Sequence, residues 1–184
     1  YTNMFFDTQY HGISQIIKSL NINTGVFMIS AFVQNNTFYL YDPGCRLQGE
    51  APDVILAQQF NLDHKKMLIS NALDIPWKVP NNIRDIYKFT DLYAATVWII
   101  AKAGTIGGIF GLDDIKNKFG VYQVSQRLYT GDTITDEMTK TEAQVVARIY
   151  TMASNSEQLE NNILSIRKHI KVTSIDNQDL LIYE

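Results

Sequence analysis

A single cysteine, Cys45, leaves this sequence without an internal disulfide, which fits a reducing compartment and an expected cytoplasmic location. No block of basic residues is present, and the net charge of −3 gives no footing for a nucleic-acid partner. No apolar run is long enough to span a bilayer and no signal peptide is recognisable, so no membrane partner is expected. Sustained repeats and low-complexity segments are absent as well. The composition that remains, 46% apolar and 19% charged, is that of a globular chain rather than a disordered one. Its 184 residues suffice for one large domain or two small ones. A start methionine is also missing: Tyr1–Tyr10 reads as the tail of something upstream, and a C-terminal fragment of a larger protein is the expectation.

The richest stretch is Gly25–Gly49, GVFMISAFVQNNTFYLYDPGCRLQG. Val26–Val33 and Thr37–Tyr41 have the β-branched and aromatic content of strands. Alternation puts Met28, Phe32, Phe38 and Leu40 on one face and Phe27, Ile29, Val33 and Tyr39 on the other, so the hairpin should be covered on both sides. Asp42 leaves the second strand, and Arg46 follows four residues later across Pro43, Gly44 and Cys45. An acid and an arginine so placed suit a metal ion and an oxyanion, or a single ion pair that ties down the loop. The residues by themselves favour the ion pair. Cys45 has no indicated histidine partner and reads as a buried structural thiol.

Asp42-Pro43-Gly44-Cys45-Arg46-Leu47-Gln48-Gly49 resembles the end of an ATP-grasp domain, where the usual pattern is Glu-x-Asn-x-Arg-x-x-Gly. A helix (Ile13–Leu20), the Leu20-to-Gly25 junction and two strands precede it in the matching order. Ala51–Leu73 reads as the helices that follow the motif in carbamoyl-phosphate-synthase-like and amino-acid-ligase-like members. The resemblance covers residues 11–75, and the later part is similar to the small C-terminal domain of the same ligases. It implies an α+β fold: residues 1–75 as the C-terminal part of an ATP-grasp domain, 76–91 as a linker and 92–184 as a small α+β domain.

The resemblance also implies a chemistry, in which ATP and Mg²⁺ activate a carboxylate or bicarbonate as an acyl phosphate for attack by an amine. Carried over by position, Asp42 stands for the metal-binding glutamate, and Ser30 falls where the family has its other acidic or amide ligand. Gly44 replaces the usual asparagine. Arg46 is the catalytic arginine that holds the phosphate or the reacting carboxylate, a task suited to its planar fork. Gly44 and Gly49 shape the loop around the nucleotide. The implied partners are small carboxylate and amine substrates and the upstream part of the same polypeptide, which would carry the adenine pocket and the phosphate-binding lysine. The isolated chain is therefore expected not to catalyse. The departures at Ser30 and Gly44 leave a second reading, a non-catalytic binding or scaffold module with the same architecture. A third is an unrelated α+β interaction domain.

The hairpin register offers an internal check. With Asn35-Asn36 as a two-residue turn, Ser30 lies opposite Tyr41 and on the other face from Asp42; a three-residue connection through Gln34 puts Ser30 and Asp42 on one face. Local turn chemistry favours the first, and the shared site implied by the resemblance favours the second, which is the expectation adopted.

Elsewhere, Ile13, Ile16, Ile17 and Leu20 recur at helical spacing and should face a core. Asp63 opens a helix whose buried stripe would be Met67, Leu68, Ala72 and Leu73. His11 and Glu50 read as surface groups, and Trp77 as packing the Asp74–Asp91 linker onto a domain. Leu92–Ala103 reads as a buried strand, returned after Gly104 by Thr105–Phe110 as a bent or bulged hairpin around Gly107-Gly108. Further strands are expected at Val121–Tyr129 and Gln144–Met152. A helix should open at Ser154-Asn155-Ser156-Glu157 and run through Ile170. Lys168, His169 and Lys171 complement the dipole at its end. Val172–Ile175 and Leu180–Tyr183 make a last hairpin. None of this second half carries an evident catalytic constellation.

Overall fold

The computed structural model describes residues 2–22, 25–47, 53–76 and 93–182. Gln48, Gly49, Glu50 and Trp77 lie outside them, as does most of the expected linker. The chain divides into two compact units, Tyr1–Phe89 and Thr90–Glu184. Both mix helices with antiparallel strands, so the α+β expectation holds.

Unit 1 begins with helices α1 (Thr2–Thr8) and α2 (Tyr10–Ser19), followed by strands β1 (Met28–Gln34) and β2 (Thr37–Gly44) and helices α3 (Asp53–Phe60) and α4 (His64–Ala72). Helix α1 occupies the stretch read as a mere tail. Asp63 caps α4 by accepting a hydrogen bond from the Lys66 amide at 2.9 Å. The β1–β2 connection is the two-residue turn Asn35-Asn36, with Gln34 paired to Thr37 and both asparagines at positive φ (48° and 57°). These are the dihedral signs of a type I′ turn, which asparagine tolerates and which matches strand twist. The three-residue connection is therefore wrong. So is the face assignment that grouped Phe32 with Phe38, because a one-residue slip exchanges faces. Phe32 shares its face with Tyr39 and Tyr41, and its ring stacks on Tyr41 at 4.7 Å.

Two expectations of burial also fail in unit 1. Phe32 is 65% exposed, with Tyr39 and Tyr41 open beside it, whereas on the opposite face Phe38 meets the Phe5 ring of α1 edge-on. The expected stripes are only partly buried: Ile13 and Ile17 of α2 and Met67 and Leu68 of α4 are half-buried, whereas Ile16, Leu20 and Leu73 are exposed. Among the described residues, a two-stranded ribbon with short helices does not supply the second layer that apolar faces need for burial. Among the described residues of this unit, only Leu62 and Ser70 are fully buried.

Unit 2 holds two three-stranded sheets. In one, β3 (Tyr93–Ile100) and β5 (Val121–Gln126) flank β7 (Val145–Ala153); in the other, β6 (Thr133–Ile134) and β8 (Lys171–Ser174) flank β4 (Gly104–Phe110). Strands β3 and β4 thus belong to different sheets and do not form the expected hairpin. Consecutive apolar strands around a glycine are equally compatible with a sheet change, which local sequence does not distinguish. The bulge expected at Gly107 is present, as a register shift between Ile106 and Gly108 against β8. Helix α5 (Ser156–His169) packs on β3 and β7. Its N-cap is Asn155, which accepts from the Gln158 amide, while the Gln158 side chain reaches back to Ser154; the cap thus sits one residue later than the expected spacing. The core joins Val97, Ile99, Ala147 and Ile149 to Ile166 of α5, to Ile170 just past its end, and to Ile106, Ile134 and Val172 of the second sheet.

Tyr122 sits at a bulge in β5, with its hydroxyl buried and no hydrogen-bond partner among the described residues. Burial, and secondarily the neighbouring Tyr150 phenol, push its pKa from 10.0 up to about 12. Because the folded value lies above the unfolded one, the stabilising contribution is complete below pH 10.0 and is lost as pH rises toward about 12, where the unfolded chain alone has shed the proton. Tyr122→Phe should flatten the fall in urea midpoint across that alkaline window. An unchanged slope would show that Tyr122 is not the group responsible.

Candidate functional site

The loop after β2 is built on a bulge. Ser30 pairs with Tyr41 and Met28 pairs with Gly44, so Asp42 and Pro43 together oppose the one residue Ile29. Proline has no N–H to give to the ladder and is tolerated in strands mainly at edges and bulges. Asp42 takes φ 46°, the left-handed region admitted by aspartate more readily than by most residues. A residue before proline is normally steered to extended backbone, so this is a tightly determined corner.

The register is that of the two-residue turn, with Ser30 opposite Tyr41 and the bulge directly after it. Strict alternation would put Asp42 on the face opposite Ser30, but it is interrupted there. Beyond the bulge, Gly44 shares the face of Met28 and Ser30. A Cβ on Gly44 would touch the Arg46 stem, 3.5 Å from Cγ, so the arginine lies along that face. Arg46 then donates to Asp42 Oδ2 at 3.4 Å and to the Leu47 carbonyl at 3.2 Å. The side chains of Asp42 and Arg46 are 59% and 54% exposed. Such a long, open contact is worth only about 0.2–1 kcal/mol, so both groups are available to a better partner. Gly44 leaves the space beside Arg46 clear. Gly49 lies outside the described residues. Cys45 follows the bulge and is exposed, not buried as expected.

No protein-family model matches the sequence, nor does any curated protein. Solved structures do match. An L-amino acid ligase from Bacillus licheniformis superposes with a TM-score of 0.68 at 17% identity, over 89% of this chain and 41% of its own. A phosphoribosylglycinamide synthetase from Anaerococcus prevotii gives 0.70 at 12% identity, over 94% of this chain and 42% of its own. The chain shares its fold with part of each of these two structures. The chain spans about two fifths of the length of these two structures.

Among the described residues the donor set for a divalent cation is sparse: no three His, Cys, Asp or Glu side chains come together. Of the residues expected at the metal, Asp42 would bring one carboxylate and Ser30, on the paired strand, one hydroxyl. That fits Mg²⁺, which commonly takes one or two carboxylates and completes its octahedron with substrate phosphates and water.

Sequence reasoning passed over a second charged cluster, in unit 2. Arg148 is buried in the middle of β7, between Trp98 of β3 and Ser125 of β5 in the paired rows. The cue was available: an arginine inside the otherwise apolar run Val145–Tyr150 either has partners or does not stay buried.

Proposed function

We propose that the chain is the C-terminal portion of an ATP-dependent, carbamoyl-phosphate-synthase-like ligase. The full protein would activate a carboxylate or bicarbonate as an acyl phosphate for attack by an amine. The observation that supports this reading is the bulged loop, which holds Asp42 and Arg46 in contact at the end of the strand paired with that of Ser30, on a fold like that of two solved structures, an L-amino acid ligase and a phosphoribosylglycinamide synthetase.

In this reading Asp42 and Ser30 help hold Mg²⁺, which when bound neutralises charge on the phosphates. Arg46 exchanges its loose contact with Asp42 for two oxygens of a phosphate or acyl phosphate. Donors already aimed where charge develops stabilise the transition state with little reorganisation. Gly44 keeps the approach open, and Gly49 is assigned to shape the same loop. The isolated chain is proposed to be inactive, and a longer polypeptide in the cytoplasm to carry the activity.

The test is ADP release by that longer polypeptide across a panel of carboxylates and amines, with Mg²⁺. Substrate-dependent release that falls at least about a hundredfold in Asp42→Ala, with the fold intact, is the expected result. An unchanged rate would remove Asp42 from the site. No nucleotide binding at all would favour a scaffold role, the reading to which Ser30 and Gly44 lend support as replacements for stronger ligands.

A further inference from the structure

At the β2 loop, the acid expected to hold a metal is already paired with a cation of the same chain. Arg46 donates to Asp42 Oδ2 at 3.4 Å, while its other terminal nitrogen donates to the Leu47 carbonyl at 3.2 Å. The backbone sets up this contact. Asp42 stands at the bulge with φ 46°, opposed together with Pro43 to Ile29. Gly44 then lets the arginine fold back: a Cβ there would lie 3.5 Å from Arg46 Cγ, 3.6 Å from Nε and 3.8 Å from Cδ. A side chain longer than a methyl group, extended the same way, would compete for the space that the arginine stem fills. Where the resemblance places an asparagine, this chain thus has a glycine with a guanidinium stem lying against it. The pair is open, its side chains 59% and 54% exposed, so it biases Asp42 without locking it.

We propose that Arg46 is a resident counter-ion of Asp42 that makes the loop select a divalent cation already chelated by phosphate over the free cation, a role that rests on the ligase reading of this loop. To hold a free dication, Asp42 must give up Arg46, and the guanidinium is left unpaired beside the new charge. Like charges so close repel. A phosphate carried by the cation removes both penalties, because the displaced fork pairs with two of its oxygens. Cation and phosphate therefore bind cooperatively, and linkage makes each raise the affinity for the other by the same factor.

The test follows Mn²⁺ by paramagnetic broadening of the amide resonances around Asp42 in the full chain, with Mn²⁺ alone and with its inorganic tripolyphosphate complex. Arg46→Met should bind free Mn²⁺ about threefold more tightly than the wild type, since an internal competitor lowers apparent affinity by the fraction of time it holds the site. The same variant should bind the tripolyphosphate complex about tenfold more weakly, having lost the charge-assisted fork. Opposite signs identify the role, because a residue that only shapes the loop would move both affinities together or neither. Arg46→Lys should keep free Mn²⁺ near its wild-type affinity and recover only part of the phosphate contact. Arg46 is more than half exposed, so these replacements should leave the urea midpoint in place. If the two affinities do not move in opposite directions in Arg46→Met, the proposal falls while the metal role of Asp42 stands. Absence of broadening at the loop with either probe, in wild type and Arg46→Met alike, overturns that metal role and this proposal with it.

Discussion

Arg46→Ala is expected to lower ligase turnover of the longer polypeptide by about 10²–10³-fold, the usual cost of removing one preorganised donor from a charge-stabilising site. Arg46→Lys should fall between, since a point charge replaces the planar fork. Two roles for Arg46 compete, and their magnitudes separate them. If it merely ties down the loop through Asp42, an open contact at 3.4 Å is worth about 0.2–1 kcal/mol, and its loss would shift stability slightly and leave kcat alone. If it binds the transferring group, kcat falls while the urea midpoint stays nearly constant. Measuring both on one variant decides between the two, and an unchanged kcat would reduce Arg46 to a loop clasp.

The elements of this chain are far more legible in its sequence than the partners they find. Strand composition and alternation locate β1, β2, β5 and β7, and the cap at Asp63 locates α4, because these depend on neighbours a few residues away. At the hairpin, the local signal of Asn35-Asn36 is right, and the argument that overrides it is not. That argument assumes unbroken alternation, whereas Pro43 cannot complete the ladder and Asp42 absorbs the extra residue in a bulge. Burial is harder to read. The isoleucines of α2 have perfect helical spacing, yet spacing says only that a face is apolar and not that anything covers it. The division of β3 and β4 between two sheets depends on contacts with β7 and β8, many residues downstream. Of the candidate site, the acid and the arginine can be read from a short motif. The cluster around Arg148 joins β3, β5, β7 and the turn at Glu142, and it exists only once the sheet is paired.

For stability, the largest single effect is expected at Gly120. This residue leads the chain into β5 at φ 63°, and its carbonyl accepts a hydrogen bond from the Met152 amide at 3.0 Å. A methyl group there would run into the Met152 carbonyl oxygen and would stand 2.9 Å from the Asn162 amide nitrogen, which itself donates to that same carbonyl. The left-handed backbone alone costs a non-glycine residue roughly 1–2 kcal/mol. The obstacle is backbone of a central strand rather than the end of a flexible side chain, so relief requires parting β5 from β7. Gly120→Ala should therefore cost about 3–5 kcal/mol, in the range reserved for core disruption and special backbone positions. Gly131→Ala is the control: its φ is 98°, but nothing stands within 4 Å of the added methyl, so only the backbone cost remains. Urea unfolding of both variants separates the two contributions. A Gly120→Ala loss no greater than that of Gly131→Ala would mean that β5 gives way easily, and that its pairing with β7 is not what holds this edge of unit 2 together.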